Sequence, residues 1–381
     1  MKIIQRDRCI VTEKKDLEHL YTFENFPIHM GVTDNSEYED VKCDMIFMIS
    51  KSSGMIQLKN LIPLDFLYTE EHYNSIGQMW EKHHKEFAEF IRKFNPKAVF
   101  EIGGARGILE KFYNENSEVF TPWTILEPVP NPIEGCRAHF VKNFFDKNYN
   151  LEEHSFDVLV HSHLLEHIYD PDEFIFNISS CLNDGKIMCF SVPNLKEILK
   201  RKYTNVLNFE HTYFLTKDYI EYLCNKHRLK LIEYQYFEED HSIFFACIKD
   251  NCIKPIRLRK ELYIENKLLY KQYITEHESI VSNYNKIIDE TDRPIYIFGA
   301  HVFTQYIISF GLNIEKIVCI LDNDSQKQGR RLSGTNLKVN SPIILKDVKE
   351  SPIVILRAGV HSREIKRDIL ENINPNTVFL E

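Results

Sequence analysis

One stretch constrains this chain more than any other: Val99-Phe100-Glu101-Ile102-Gly103-Gly104-Ala105-Arg106-Gly107. An apolar run closes in an acid and gives way to small residues, and behind it Ile108-Leu109-Glu110-Lys111-Phe112-Tyr113 reads as a helix. The pattern predicts strand, tight turn, helix. Gly103, Gly104 and Gly107 let the backbone reverse sharply and keep side chains out of the way of a bulky ligand. The spacing is Glu-x-Gly-x-x-x-Gly and not the G-x-G-x-x-G of dinucleotide sites. A carboxylate at the strand end, Glu101, would repel a phosphate and attract a cationic amino group.

The chain around this loop is long enough, at 381 residues, for two or three domains of about 150 residues each. A hydrophobic fraction of 43% beside 27% charged residues is ordinary for a globular protein with its own core. The net charge of -9 points away from nucleic acid and toward a small-molecule partner. Nine cysteines are scattered without a C-x-x-C pair, so neither a disulfide framework nor a zinc finger is indicated. The opening Met1-Lys2-Ile3-Ile4-Gln5-Arg6 lacks a signal-peptide core and no run reaches the roughly 18 apolar residues of a membrane span. A cytoplasmic protein without a membrane partner is expected; oligomeric state is not readable.

Shifts in pattern divide the chain into four parts. Residues 1–75 show short mixed segments punctuated by Pro27 and Pro63, a small N-terminal cap. Residues 76–253 open on an apolar stripe (Met79, Trp80, His83, Phe87, Phe90, Ile91) at helical spacing, which Pro96 ends. Strands and helices then alternate, as in a doubly wound α/β sheet, and finish in a hairpin of Leu229–Phe237 and Ser242–Ile248. Residues 254–290 form a charged connecting helix. Residues 291–381 repeat the strand–turn–helix theme in a second, smaller α/β domain.

Three further segments carry chemistry. Glu127 closes the strand after the glycine loop, where a carboxylate can accept from both hydroxyls of a ribose. His163-Leu164-Leu165-Glu166-His167 matches H-x-x-E-H, the zinc-peptidase pattern of two histidines one helical turn apart. It follows directly on a buried strand and runs into Asp170-Pro171, so it is read as a strand exit and no metal is expected. Asn208-Phe209-Glu210-His211 sets a carboxylate beside a histidine that titrates near neutrality, a pairing able to remove a proton from a hydroxyl or from a carbon next to a ketone.

The acidic glycine loop resembles motif I of class I S-adenosylmethionine-dependent methyltransferases, whose cofactor carries an ammonium and a sulfonium but no phosphate. The resemblance implies a Rossmann-like central domain with Glu101, Gly103, Gly104, Gly107 and Glu127 around the cofactor, and Ser162 and His163 beside its methionine end. Along nearly its whole length the chain is similar to the nucleotide-sugar C-methyltransferase family, in which a small N-terminal domain, a cofactor domain and a C-terminal α/β domain share the work. That resemblance assigns the base to the Glu210–His211 pair, with His211 foremost, and places His167 and Tyr73 at the acceptor. Asp322-Asn323-Asp324 with Lys327 and Gly329 resembles the family's D-D-x-x-x-K-x-G element, so the C-terminal domain holds a nucleotide or simply packs.

The chain departs from the family at its zinc site: the first Cys pair reads Cys9-Ile10-Val11-Thr12 and the second Ser50-Lys51-Ser52-Ser53. Three of four thiolates are missing, and no structural zinc is expected. Asn208 stands where a tyrosine is usual. The leading expectation is methyl transfer to a nucleotide-linked sugar or related surface-polysaccharide precursor, on carbon or oxygen. Its rivals are a non-catalytic binding protein that keeps the fold and a nicotinamide oxidoreductase, the latter weakened because Gly299-Ala300-His301 lacks later glycines.

Overall fold

The computed structural model describes residues 2–67, 77–115, 117–146, 148–204 and 206–381. Tyr73 lies outside them.

The N-terminal unit contains strands β1 (Ile4–Gln5), β2 (Leu17–Pro27), β3 (Val32–Thr33), β4 (Lys42–Ser50), β5 (Ile56–Leu58) and β6 (Asn60–Leu61), followed by the single turn α1 (Leu64–Leu67). β2, β4 and β5 form an antiparallel sheet, and β1 pairs with β6. In β4 the period of two is plain: Cys43, Met45, Phe47 and Ile49 are buried in alternation with more open neighbours. Where the resemblance locates a zinc knuckle, Cys9 Sγ lies 3.2 Å from Ser53 Oγ, and Asp16 accepts from Ser50 Oγ at 2.9 Å and from the Ser52 N–H at 2.8 Å. Hydrogen bonds engage Cys9, Ser50 and Ser53 there, whereas Thr12 Oγ1 is buried without one.

The central domain begins with α2 (Gln78–Arg92), whose His83, Phe87, Phe90 and Ile91 face the core. Each fully buried apolar side chain contributes roughly 1.5–3 kcal/mol. Then follow β7 (Val99–Ile102), α3 (Ile108–Glu115), β8 (Trp123–Leu126), β9 (His139–Val141), β10 (Val158–Ser162), α4 (Pro171–Cys181), β11 (Ile187–Pro193), α5 (Leu195–Lys200), α6 (Lys217–Lys226), β12 (Leu229–Phe237) and β13 (Ser242–Lys249). They build a seven-stranded sheet in the order β12-β13-β11-β10-β7-β8-β9. Every pairing is parallel except those of β13, which runs against both β11 and β12. The expected hairpin therefore closes an otherwise parallel sheet. Consecutive β7 and β8 pair on one side while β10 flanks β7 on the other, so the strand order switches at β7. Ligands of open α/β sheets bind in the crevice beyond the carboxyl ends of the strands at such a point.

The connecting helix α7 (Leu262–Glu290) buries Tyr270 and Tyr273 in the core shared by the N-terminal unit and the central sheet, and Val281, Tyr284 and Ile288 in the core of the C-terminal domain. One rod is thereby anchored in two cores. The C-terminal domain comprises β14 (Ile295–Phe298), α8 (Val302–Ser309), β15 (Ile317–Leu321), β16 (Arg331–Leu332), β17 (Val339–Asn340), β18 (Ile353–Leu356), α9 (Ser362–Asp368) and β19 (Val378–Leu380). Its parallel sheet runs β17-β15-β14-β18-β19. The N-terminal and C-terminal units also meet directly: β3 pairs antiparallel with β16, and Arg331 grips Asp40 through two contacts of 2.8 Å. Among the described residues no helix is long and apolar enough to cross a membrane.

Candidate active site

The glycine loop leaves β7 as its sequence requires. Gly103, at φ +73°, donates its N–H to the Leu126 carbonyl at 2.9 Å, and Gly107, at φ +72°, donates to Gly104 at 2.8 Å. Beyond the sharp reversal, close approach of the protein's own side chains also requires glycine. A Cβ on Gly104 would come within 2.7 Å of Ile125 and 2.8 Å of the Glu101 carboxyl carbon, and one on Gly107 within 2.3 Å of Cys136 Sγ. The protein's own side chains press on the loop at these two positions.

Glu101, expected beside the cofactor, lies under the loop. Only 3% exposed, it accepts a 2.7 Å hydrogen bond from Trp123 Nε1 beneath the loop. Burial pushes its carboxyl up to about 8, reinforced by the nearby Glu110 and Glu127 and partly opposed by the indole N–H. It supports the loop as a neutral acid and does not present a bare negative charge to the cleft. Glu127 sits half-buried beyond β8, accepting from the Ala105 N–H and the Val129 N–H at 3.0 Å each. Its carboxylate thus ties the loop to the neighbouring strand while keeping lone pairs for a ligand.

At the exit of β10, Ser162 Oγ is buried and makes no hydrogen bond. His163 takes a left-handed φ of +48°, donates its N–H to the Ser191 carbonyl at 2.9 Å, and sets Nε2 2.8 Å from Ser242 Oγ. Burial lowers it to about 3, so it is neutral. It belongs to a group of histidines around Trp80, with His83 and His241 also held neutral by burial. The adjacent orphaned Ser162 hydroxyl, the strand-end carboxylate of Glu127 and the Gly103–Gly107 loop fit a ribose-bearing, phosphate-free cofactor at this crevice.

The acceptor side forms where two loops are pinned together. The H-x-x-E-H segment contains only the single turn Leu165–His167, as a strand exit implies. The Glu210–His211 loop runs against β5: Leu58 N–H donates to Thr212 and Phe214 N–H to Ile56, both at 2.8 Å. Asn208, the family departure, is a turn-former, its Oδ1 accepting the N–H groups of Glu210 and His211 at 2.8 and 2.9 Å. Tyr213 Oη donates to the Leu165 carbonyl. The buried Arg6 guanidinium donates to the Tyr169 carbonyl at 2.6 Å and to Thr212 Oγ1 at 3.0 Å. These clamps bring the rings of His167 and His211 to a centroid distance of 4.7 Å. Burial lowers His211 to about 4, aided by His163 and His301, and raises Glu210 to about 7.

A cleft of about 1030 Å3 opens at the carboxyl ends of β14, β15 and β18, lined by Phe298, Gly299, His301, Asp322, Lys327 and Arg367 among others. It lies at the switch point of the second sheet, where β14 is flanked by β15 and β18. Asp322 is engaged within its own loop, accepting from the Ala300 and Asp324 N–H groups and from Lys327 Nζ at 2.9, 3.0 and 3.1 Å. Sequence reasoning did not single out Arg6, whose partners are far along the chain, nor His301, which carried no motif beyond its place after Gly299. It read Glu166 only as part of a dismissed pattern.

The sheet order, the hairpin and the glycine loop together define a class I methyltransferase domain. Residues 76–234 match the family described as a methyltransferase domain. No curated protein matches the sequence. Among solved structures the chain is similar to the Burkholderia thailandensis 1,6-didemethyltoxoflavin-N1-methyltransferase with bound 1,6-didemethyltoxoflavin and S-adenosylhomocysteine, at 15% identity and a TM-score of 0.35, covering 46% of this chain and 82% of that one. It is similar to magnesium protoporphyrin IX methyltransferase from Synechocystis PCC 6803 with bound S-adenosylhomocysteine, at 10% identity and a TM-score of 0.35, over 49% and 92% of the two chains. An N-methyltransferase from Bradyrhizobium japonicum WM9 is similar at 13% identity and a TM-score of 0.32, over 46% and 99%.

Proposed function

We propose that this protein transfers a methyl group from S-adenosylmethionine to a sugar carried on a nucleotide, or to a related surface-polysaccharide precursor. The cofactor supplies an activated methyl on a sulfonium; this chain supplies placement and a proton acceptor. Gly103 to Gly107 and Glu127 hold the donor at the end of the central sheet, with Ser162 at its methionine end. The acceptor's reacting atom lies between His167 and His211, and its proton passes to the Glu210–His211 pair. Glu210, lifted by burial to about 7, matches a neutral operating pH, whereas His211 at about 4 orients the acceptor's oxygen more readily than it takes a proton.

The observation that supports this reading is the meeting of His167 and His211, whose ring centroids lie 4.7 Å apart beside the half-buried Glu210. A sugar end at His211 with a nucleotide end in the C-terminal cleft is the substrate arrangement this reading requires. The proton leaves a carbon beside a ketone in one case and a hydroxyl in the other. The test is a panel of nucleotide sugars incubated with isotopically labelled donor, the product's mass and methyl position being read by mass spectrometry. His211→Asn should lower turnover at least about 100-fold while leaving donor affinity within twofold. An undiminished rate would refute the assignment.

A further inference from the structure

Glu166 stands apart from the other carboxylates among the described residues. It is 0% exposed, at the centre of the Leu165–His167 turn, and neither of its oxygens makes a hydrogen bond. Its closest basic neighbour is His163 Nδ1, 3.1 Å from Oε1 but outside hydrogen-bond geometry. Beside it His211 Nδ1 is also buried without a hydrogen bond. Burying a carboxyl group whose closest basic neighbour is a neutral imidazole, and an imidazole nitrogen without a hydrogen bond, is unfavourable in a packed interior, and folding tolerates it when a ligand completes the site. One ligand-capable atom from each of Glu166, His167 and His211 lies within 4.8 Å of the other two.

We propose that Glu166, His167 and His211 bind one divalent first-row transition cation, such as Zn2+ or Co2+, with its open positions facing the acceptor. Two imidazoles and one carboxylate suit borderline metals, whereas Mg2+ and Ca2+ prefer sets made wholly of oxygen. A tetrahedral ion with bonds of about 2.1 Å places its ligand atoms roughly 3.4 Å apart, so modest rotation of the two rings closes the site. The H-x-x-E-H pattern is thus used in an altered way. His163 is turned toward Ser242, and the second imidazole comes from the loop that Arg6 and Tyr213 pin against the turn.

Resting on the methyltransferase reading above, the cation would hold the acceptor's keto or hydroxyl oxygen. His211 is then a ligand, the acceptor's proton moves to the Glu210 carboxylate, and the methyl moves from the sulfonium to the acceptor, leaving a neutral thioether on the donor.

The test uses the full chain stripped with chelator and titrated with Co2+ alone. Metal retained after gel filtration is counted by mass spectrometry, and the site is read by its visible d–d absorption. About one Co2+ per chain is expected, with affinity falling at least tenfold in Glu166→Gln and in His167→Gln, and unchanged in Cys9→Ala, which keeps the N-terminal knuckle out of the account. Thermal melts and donor calorimetry on the same samples show whether each variant is folded. Should Glu166→Gln fail to fold, the partly exposed His167 decides. A stripped wild-type chain that retains no Co2+, or variants that retain as much as wild type, overturns the proposal. Donor binding to the metal-free chain is expected to persist, so its loss would count against the methyltransferase reading and not against the metal.

Discussion

Replacing Glu101 by glutamine tests how the glycine loop is supported. In the folded protein burial lifts this carboxyl from 4.5 to about 8. Below pH 4.5 it is protonated in both states and has no effect on the balance. Between 4.5 and 8 the folded protein keeps a proton that the unfolded chain has released, so stability is lost as pH rises; above 8 the loss levels off. Each pH unit in that window is worth about 1.4 kcal/mol, and integration from pH 5 to pH 8 gives about 3 kcal/mol. The amide of Glu101→Gln still accepts from the Trp123 indole but does not titrate. The variant should therefore gain about 3 kcal/mol on the wild type between pH 5 and pH 8. Urea unfolding followed by tryptophan fluorescence is suited to this, since the chain has two tryptophans and Trp123 touches the residue in question. Parallel stability curves for the two proteins would refute the argument, for they would mean that Glu101 is as ionised folded as unfolded.

Two other perturbations follow from close contacts. Gly107→Ala adds a left-handed φ cost of about 1–2 kcal/mol and an overpacking cost of about 1–3 kcal/mol against Cys136 Sγ; Cys136→Ala in the same chain should restore the second part in calorimetric melts, and strict additivity would count against the contact. Arg331→Met leaves the largely buried Asp40 with the Gly334 N–H but no guanidinium, at a cost of about 3–5 kcal/mol; hydrogen exchange at Val32, Thr33 and Leu332 should accelerate, and unchanged protection would show that the seam holds without the pair.

The central sheet was legible because strands covered on both faces read as continuous apolar runs, as Val99-Phe100 and Val158-Leu159-Val160 do. The N-terminal unit was not, because register shifts in β2 between His19 and Tyr21 and between Phe23 and Phe26 break its alternation. Glu101 and Glu127 looked equivalent as acids at strand ends. What separates them is that an indole from β8 covers the first, while the second emerges half-buried beside the loop. Segments bearing His167 and His211 could be picked out singly, but their meeting depends on Arg6 and on the pairing with β5, contacts between residues far apart in the chain. Asn208 was legible only as a residue standing where a tyrosine is usual, and its side chain shapes the turn that presents His211.

The pairing of β3 with β16 also governs the order in which the protein can be completed. Thr33 finds its partner Arg331 only after nearly the whole chain has been made, about 15 to 60 seconds later at ribosomal speeds of roughly 5–20 residues per second. Throughout that interval the N-terminal unit, whose Phe26 and Phe47 share a core with Phe209, Tyr213 and Tyr306, has apolar faces without their final cover. The central sheet, being more local, can close first, with the histidine loops set against it later. A chain truncated before β16 would keep the elements of both sides of the site, which end with β13 at Lys249, but lack the seam that ties the N-terminal unit to the C-terminal domain.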